Sequence, residues 1–279
     1  LRNEEGVDVV LLLTHDPGYV NQYADEFINE YKIDAIFNAH SHRVESDYLN
    51  GIPTIQSGAY GSHVGHIQFT IDDKSITDSA INQLTKLNEP LLTSEHPGVR
   101  ILLNQYVFET DQIFNEPIIY NESSLSREAL TEWMSTLMRV STNADIGFHN
   151  GGGTRTDIRG NDDITLSDLY DVWPFDNEVV TLYLTGAQIK SLMNNMSGYN
   201  TDINHFIDDE LYKVATNDYL YYHENYPFND GSDVTLTRVY LRDLALDELT
   251  LQAIAYGTFD LNNAILSRVI TEESVDEAT

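Results

Sequence analysis

The sequence contains no cysteine. Disulfides, thiolate metal sites and cysteine nucleophiles are therefore excluded. Basic residues are scarce, with 15 Lys+Arg against 45 Asp+Glu and a formal net charge of -30. That balance stands against a nucleic-acid polymer as partner, because backbone binding needs a positive surface. An anionic small molecule would need local arginines or bound cations to overcome the surrounding field, so the position of each arginine carries weight. No run of 18 apolar residues occurs, and no membrane-spanning helix is expected. The opening residues, LRNEEG, do not read as a signal peptide and lead straight into strand-like sequence, so the chain is expected to be cut from something longer. What is present suffices for a buried core: 279 residues, 41% of them hydrophobic, fit one large domain or two smaller ones. Tyrosine, with 17 copies against 10 of phenylalanine, suits wet grooves as well as cores.

The stretch from Ala144 to Asn177 concentrates chemistry. Its first residues, Ala144–Phe148, read as a strand, and Asn150 is followed by Gly151, Gly152 and Gly153. Glycine tolerates unusual backbone angles and lets a ligand approach the main chain. Arg155 comes next, a charged fork suited to carboxylate or phosphate. Trp173-Pro174-Phe175 then sets aromatic surface beside a rigid proline. Together these make a site for a flat anion; a tight turn, a salt-bridged arginine and a core aromatic are the alternative.

Toward the N-terminus, Val7–Leu13 reads as a buried, parallel strand, Gln22–Tyr31 as a helix with Tyr23, Ala24, Phe27, Ile28 and Tyr31 on one face, and Ile33–Phe37 as a second strand. A third strand starts at Gly51–Ile55 and another covers Val64–Ile71. This strand–helix–strand rhythm leaves His15 at one strand end and His40 and His42 at the next, where open α/β sheets place ligands. Neutral imidazole ligates zinc, manganese or iron, so the three histidines form a metal candidate; ordinary hydrogen-bonded loop histidines are the alternative. His63 and His66 suit a structural or rim role.

The rhythm breaks near Asp72–Lys74, and a helix is expected at Ser79–Leu87 with loops around Pro90 and Pro97. Ser124–Val140 is the strongest helix, with Ala129, Leu130, Trp133, Met134, Leu137 and Met138 as its buried stripe and Ser124 or Ser126 as cap. Arg127 sits in its first turn, against the macrodipole, which fits either anion contact or a salt bridge to Glu128 or Glu122. A short helix is expected at Ile164–Val172, capped by Thr165 or Ser167, then a strand at Glu178–Leu184. Thr185–Gln188 has capping-box spacing and starts a helix to about Met193. The 194–209 stretch reads as loop, Leu211–Thr216 as strand, and Tyr219–Tyr222 as an aromatic cluster able to supply a second stacking plate. Val234–Leu241 alternates as a strand, Leu251–Tyr256 fits helix or strand, Phe259–Val269 has helical spacing, and the acidic tail is expected to fray.

These motifs together resemble the bacterial 5'-nucleotidase family, which includes UDP-sugar hydrolases and cyclic-nucleotide phosphodiesterases. NGGGTR at Asn150–Arg155, PFDN at Pro174–Asn177 and VVTLYLTGAQIKSLM at Val179–Met193 are similar to the family's C-terminal domain; LLTHDPG at Leu12–Gly18 and NAHSHR at Asn38–Arg43 are similar to the last two metal motifs of its calcineurin-like metallophosphoesterase domain. The fold class implied is α/β plus α+β: residues 1–75 as the C-terminal half of a layered metallophosphoesterase domain, 76–115 as connector and hinge, and 116–279 as a mixed α/β 5'-nucleotidase-type substrate-binding domain.

The resemblance also implies roles. His15, His40 and His42 match metal ligands, Arg127 and Arg155 match arginines on the terminal phosphate, and Asn150, Gly152 and Gly153 form the loop against the substrate. Phe175, with Asn177 beside it, and Tyr219 match the plates of a base clamp; Asn225 falls at the family's acidic ribose position, within YYHENYPF, which replaces a glycine-rich stretch. The family's DxH and GNHD/E motifs do not occur, so the implied partner is the remaining N-terminal portion of the same protein. The implied reaction of that parent is metal-dependent hydrolysis of nucleotide phosphomonoesters by two divalent ions (Mn, Zn, Co or Mg), none of them assured in this chain alone. A nucleotide or nucleoside is the implied ligand, and a bacterial location outside the cytoplasm (extracellular, wall-associated or periplasmic) the implied setting. A non-catalytic nucleotide-binding or surface protein, or a sugar-nucleotide or cyclic-nucleotide phosphodiesterase, are the alternatives.

Overall fold

The computed structural model describes residues 5–23, 26 and 30–263. The chain divides into two compact units, Leu1–Leu103 and Asn104–Thr279.

In the first unit β1 (Leu11–Leu13), β2 (Ala35–Phe37), β3 (Val44–Leu49) and β4 (Ile52–Ser57) form a sheet of order β1-β2-β4-β3. β1, β2 and β4 run parallel and β3 is antiparallel to β4. Val20, from helix α1 (Pro17–Gln22), packs with Ile33, Ile36 and Ile52. β1 is parallel, as its composition predicts, but not buried: Leu12 packs inward while Leu11 and Leu13 are exposed. Only the face carrying Leu12 is covered in this unit, so a continuous apolar run misled. The helix expected at Gln22–Tyr31 cannot be followed, since Ala24, Phe27 and Ile28 lie outside the described residues.

The helix expected at Ser79–Leu87 is instead strand β6 (Ser75–Leu84), paired antiparallel along β5 (Val64–Asp72). Asp73 and Lys74 both have positive φ, 42° and 62°, as the two-residue turn of a hairpin requires. Cross-strand pairing overrides the local spacing. β3 has no counterpart among the expected strands.

Helix α2 (Pro97–Phe114) falls where loops and connector were expected. Pro97 opens it at the one position where a missing N–H costs nothing. Val99, Leu102, Leu103, Tyr106, Val107 and Ile113 share one face at helical spacing, a period that the loop and connector reading passed over.

The second unit has a five-stranded sheet of order β11-β8-β12-β10-β13: β8 (Ile146–Phe148), β10 (Glu178–Thr185), β11 (Tyr199–Thr201), β12 (Leu211–Asn217) and β13 (Ser232–Tyr240). β7 (Pro117–Asn121) pairs with β9 (Asp162–Thr165) beside it. Alternation along β10 feeds two cores. Val180, Leu182 and Leu184 face Ile189 and Leu192 of helix α5 (Gly186–Asn195), with Phe206 and Phe228. Val179 faces the opposite cluster, which holds the stripe of helix α3 (Arg127–Ser141), Trp173 and Leu244 of helix α7 (Leu241–Tyr256). Ser126 caps α3, Thr165 closes a capping box on helix α4 (Leu166–Val172), and Thr185 and Gln188 close one on α5. Leu251–Tyr256 is the last part of α7, and β11 lies in the stretch read as loop. Residues 259–263 are not helical; the rest of that expected helix lies outside the described residues.

β8 lies so close to α3 that a Cβ on Gly147 would collide with the Ser135 carbonyl oxygen. Gly147→Ala is therefore expected to cost about 1–3 kcal/mol of unfolding free energy through overpacking. An unchanged urea midpoint would contradict this packing.

Candidate functional site

Strand direction brings four segments to one end of the second unit's sheet. β8 is parallel to β12, so the Asn150–Arg155 loop leaves the sheet where β12 ends. β10 is antiparallel to β12, with Val179 opposite Asn217, so the Trp173–Asn177 turn enters at that same end. Glu178 pairs with Tyr240 at the end of β13, which places the start of α7 there too. Helix α6 (Asp218–Tyr222), carrying Tyr219, follows β12 directly.

Side chains then tie the segments together. The buried Asn217 caps α6, its Oδ1 accepting from the Leu220 N–H at 2.8 Å. Its Nδ2 therefore points at the glycine loop, 3.0 Å from His149 Nδ1 and 3.1 Å from Asn150 Oδ1. Asn177 Nδ2 donates to Asp218 Oδ1 at 2.7 Å, joining the Phe175 turn to α6. Arg127 donates from Nε to Thr154 O at 3.0 Å and from Nη2 to Gly151 O at 3.1 Å. Arg155 Nη1 donates to Gly152 O at 3.2 Å, and its Cζ lies 5.9 Å from the Phe175 ring centre. Among the described residues neither arginine forms a salt bridge with a carboxylate: both fold over the glycine loop. Phe175 and Tyr219 are 50% and 49% exposed, leaving aromatic surface to stack on.

The glycines act differently from their expected use. None of Gly151, Gly152 and Gly153 has positive φ. What matters is space. A Cβ on Gly153 would meet His149 Cε1 at 2.8 Å, whereas a Cβ on Gly151 would meet nothing within 4 Å, so the loop is seated on one side and open on the other. The loop and Tyr219 line a cavity of about 310 Å³ with His149, Gly198, His223 and Tyr226. Asn225 donates its backbone N–H to His223 Nδ1 at 3.2 Å, and its neighbours His223 and Tyr226 form the cavity wall.

His149, Asn217 and Arg242 were not singled out from the sequence. Arg242, like Arg127, occupies the first turn of a helix, and that shared misfit with the macrodipole was the available signal. For His149 and Asn217 the partners lie 68 residues apart, so no local pattern marks them.

In the first unit His15 Nε2 and His40 Nδ1 sit 3.0 Å apart, sharing a hydrogen bond. His42 instead packs edge-on against Tyr60, ring centres 5.7 Å apart. His40 and His42 both have left-handed φ, 71° and 59°. Among the described residues no three His, Asp or Glu side chains are grouped to hold a metal ion. His15, His40 and His42 by themselves fall short of the four or more ligands a divalent ion takes, as expected for a set whose other members lie elsewhere in the family's motifs.

The second unit thus gathers two arginines, a glycine loop and two half-exposed rings at one end of its sheet. Residues 109–208 match the family model for the 5'-nucleotidase C-terminal domain. A trifunctional nucleotide phosphoesterase protein of Bacillus subtilis is 28% identical over 213 residues, 69% of this chain. An endonuclease of the same organism is 26% identical over 174 residues, 58% of this chain. The chain spans 14% of the length of each of these relatives. Among solved structures, a 5'-nucleotidase precursor from Thermus thermophilus superposes with TM-score 0.63 at 16% identity, over 88% of this chain and 66% of that one. The sulfate thiohydrolase of the same organism gives 0.59 at 14% identity, over 91% and 53%. These likenesses show the fold alone, and the two names differ in chemistry. No helix among the described residues is long and apolar enough to cross a membrane.

His149 is fully enclosed, its Nε2 has no partner, and burial pushes its pKa down to about 3. The unfolded chain binds that proton near the ordinary value of 6.5. The neutral ring's contribution is therefore whole above pH 6.5 and is lost as pH falls toward 3. Stability of the wild type relative to His149→Gln is expected to decline below about pH 6.5, with a slope approaching about 1.4 kcal/mol per pH unit. A difference that stays flat between about pH 7.5 and about pH 4.5 would refute a buried neutral ring.

Proposed function

We propose that this chain binds nucleotides at the glycine-loop end of its second unit, as the substrate-binding part of a 5'-nucleotidase-like phosphohydrolase. The observation that carries the reading is the placement of Arg155 between the Gly152 carbonyl and the Phe175 ring, with Arg127 on the same loop. A phosphate is drawn to the guanidinium groups and a base to the aromatic faces. The roles are as follows. Arg127 and Arg155 hold the terminal phosphate, with Asn150, Gly152 and Gly153 as the wall beside them. Phe175 and Tyr219 flank the base; Asn177 holds their mounts together. Asn225 helps shape the ribose side. Residues 116–279 are the substrate-binding domain, residues 1–75 half of a metallophosphoesterase domain, and 76–115 the connector.

Support comes from the domain match, from relatives named as nucleotide phosphoesterases, and from the site's chemistry. Hydrolysis by two divalent ions is the reaction of the intact enzyme under this reading. His15, His40 and His42 are part of such a centre's ligand set under this reading and do not complete it by themselves, so the proposal for this chain is binding and orientation of substrate. A setting outside the cytoplasm accords with the precursor named for the Thermus relative.

Calorimetric titration with AMP tests the proposal. Saturable binding is expected, weakened by about 1–3 kcal/mol in Phe175→Ala through lost stacking. Arg155→Ala is expected to lower AMP affinity by about 1.5–3 kcal/mol while leaving adenosine binding little changed. A folded chain that binds neither AMP nor UDP-glucose would sink the reading.

A further inference from the structure

Phe175 is half-exposed on a turn, where a ring would ordinarily sample several orientations. Yet the backbone on either side of it is gripped from the start of α7. The Leu241 N–H donates to Asn177 O at 3.0 Å. Arg242 Nη1 donates to Trp173 O at 2.7 Å and to Phe175 O at 3.0 Å, while Nη2 pairs with the Asp176 carboxylate. The same guanidinium lies 4.1 Å from the ring centre of Tyr170, whose other neighbour is Phe114 at 5.1 Å.

Three features single this arginine out. Its side chain is only 11% exposed, so a charge is held nearly out of water. It occupies the second residue of α7, where the helix dipole disfavours a cation. Both costs are met by contacts that converge on residues 170–176. A salt bridge alone would need only the carboxylate of Asp176, which is 75% exposed. Arg242 also binds two main-chain carbonyls, one of them belonging to Phe175 itself. A planar fork can reach all three oxygens at once; a lysine ammonium on a flexible stem holds no such plane.

We infer that Arg242 is a positioning residue: it locks the Trp173–Asn177 turn so that the Phe175 face is presented ready for a flat heteroaromatic ring. This rests on the nucleotide reading above and deepens it. The base-stacking part of affinity depends on Arg242, and the phosphate part, held by Arg127 and Arg155 on the glycine loop, does not. Holding the ring in place before binding removes the ordering cost that an exposed aromatic would otherwise carry into the complex.

The test compares AMP with ribose 5-phosphate, which lacks the base, by calorimetry on the full chain. Wild type is expected to bind AMP about 5- to 100-fold tighter than ribose 5-phosphate. In Arg242→Lys that ratio is expected to fall by about threefold or more as the plate loosens. Ribose 5-phosphate affinity and far-UV circular dichroism should remain those of the wild type, which a general loosening of the domain would not give. Phe175→Ala separates the two ideas. A ratio that collapses in Phe175→Ala but is unchanged in a folded Arg242→Lys overturns the positioning role and leaves the nucleotide reading standing. A ratio unaffected by Phe175→Ala overturns both. Should Arg242→Lys not fold, Asp176→Ala removes one exposed arm of the same grip. There an intermediate fall is expected, and an unchanged ratio overturns the proposal.

Discussion

The buried side chain of Asn217 is the constraint on which the site depends. An asparagine that caps a helix has its oxygen committed to a backbone N–H, here that of Leu220. That commitment fixes the amide's orientation and sends its Nδ2 toward His149 and Asn150. Helix cap and loop anchor are therefore one group, and α6 cannot shift without disturbing the glycine loop. The His149 ring, accepting at Nδ1, keeps its proton on Nε2, beneath the place where Gly153 lacks a Cβ. A buried polar chain of this kind tolerates few alternative arrangements, because each unpaired group in it costs about 1–3 kcal/mol.

Topology explains why one amide can reach so much. The mixed sheet gathers the exits of β8, β12 and β13 and the entrance of β10 at a single end. Segments far apart in sequence become neighbours there without any long loop. Each strand end supplies one element: the glycine loop, α6 with Tyr219, the start of α7 with Arg242, and the turn with Phe175. The rigid strands set positions, and short side-chain bonds set angles.

Much of this was legible in the sequence where the signal is local. The α3 stripe, the Thr185–Gln188 box and the Glu178–Leu184 strand each rest on a signal within one element, and each stands in the fold as read. NGGGTR and PFDN likewise marked the loop and the turn. The failures share a cause. β6 is decided by pairing with β5, not by its own spacing. Leu11–Leu13 looks buried because composition cannot say how many faces of a sheet are covered. His149 and Asn217 matter only through a partner far along the chain. The histidine motifs show the same limit: HxH spacing does not foretell that His40 bonds His15 while the His42 ring packs against Tyr60.

The charge balance bears on how such a site can exist at all. In a chain of net charge -30, an anionic ligand meets a repulsive field over most approaches. The wall of the cavity beside Tyr219 carries no Asp or Glu among the described residues, so the acidic majority is kept off it. Arg127 and Arg242 each stand in the first turn of a helix, where a cation loses about 0.3–1 kcal/mol against the dipole. Surface salt bridges would not require either position, since exposed pairs contribute about as little wherever they form. Both arginines instead satisfy backbone carbonyls of the loop and the turn, and in doing so bring positive charge to the one end of the sheet where the segments converge. The same residues thus build the loops and set the local field at that end of the sheet.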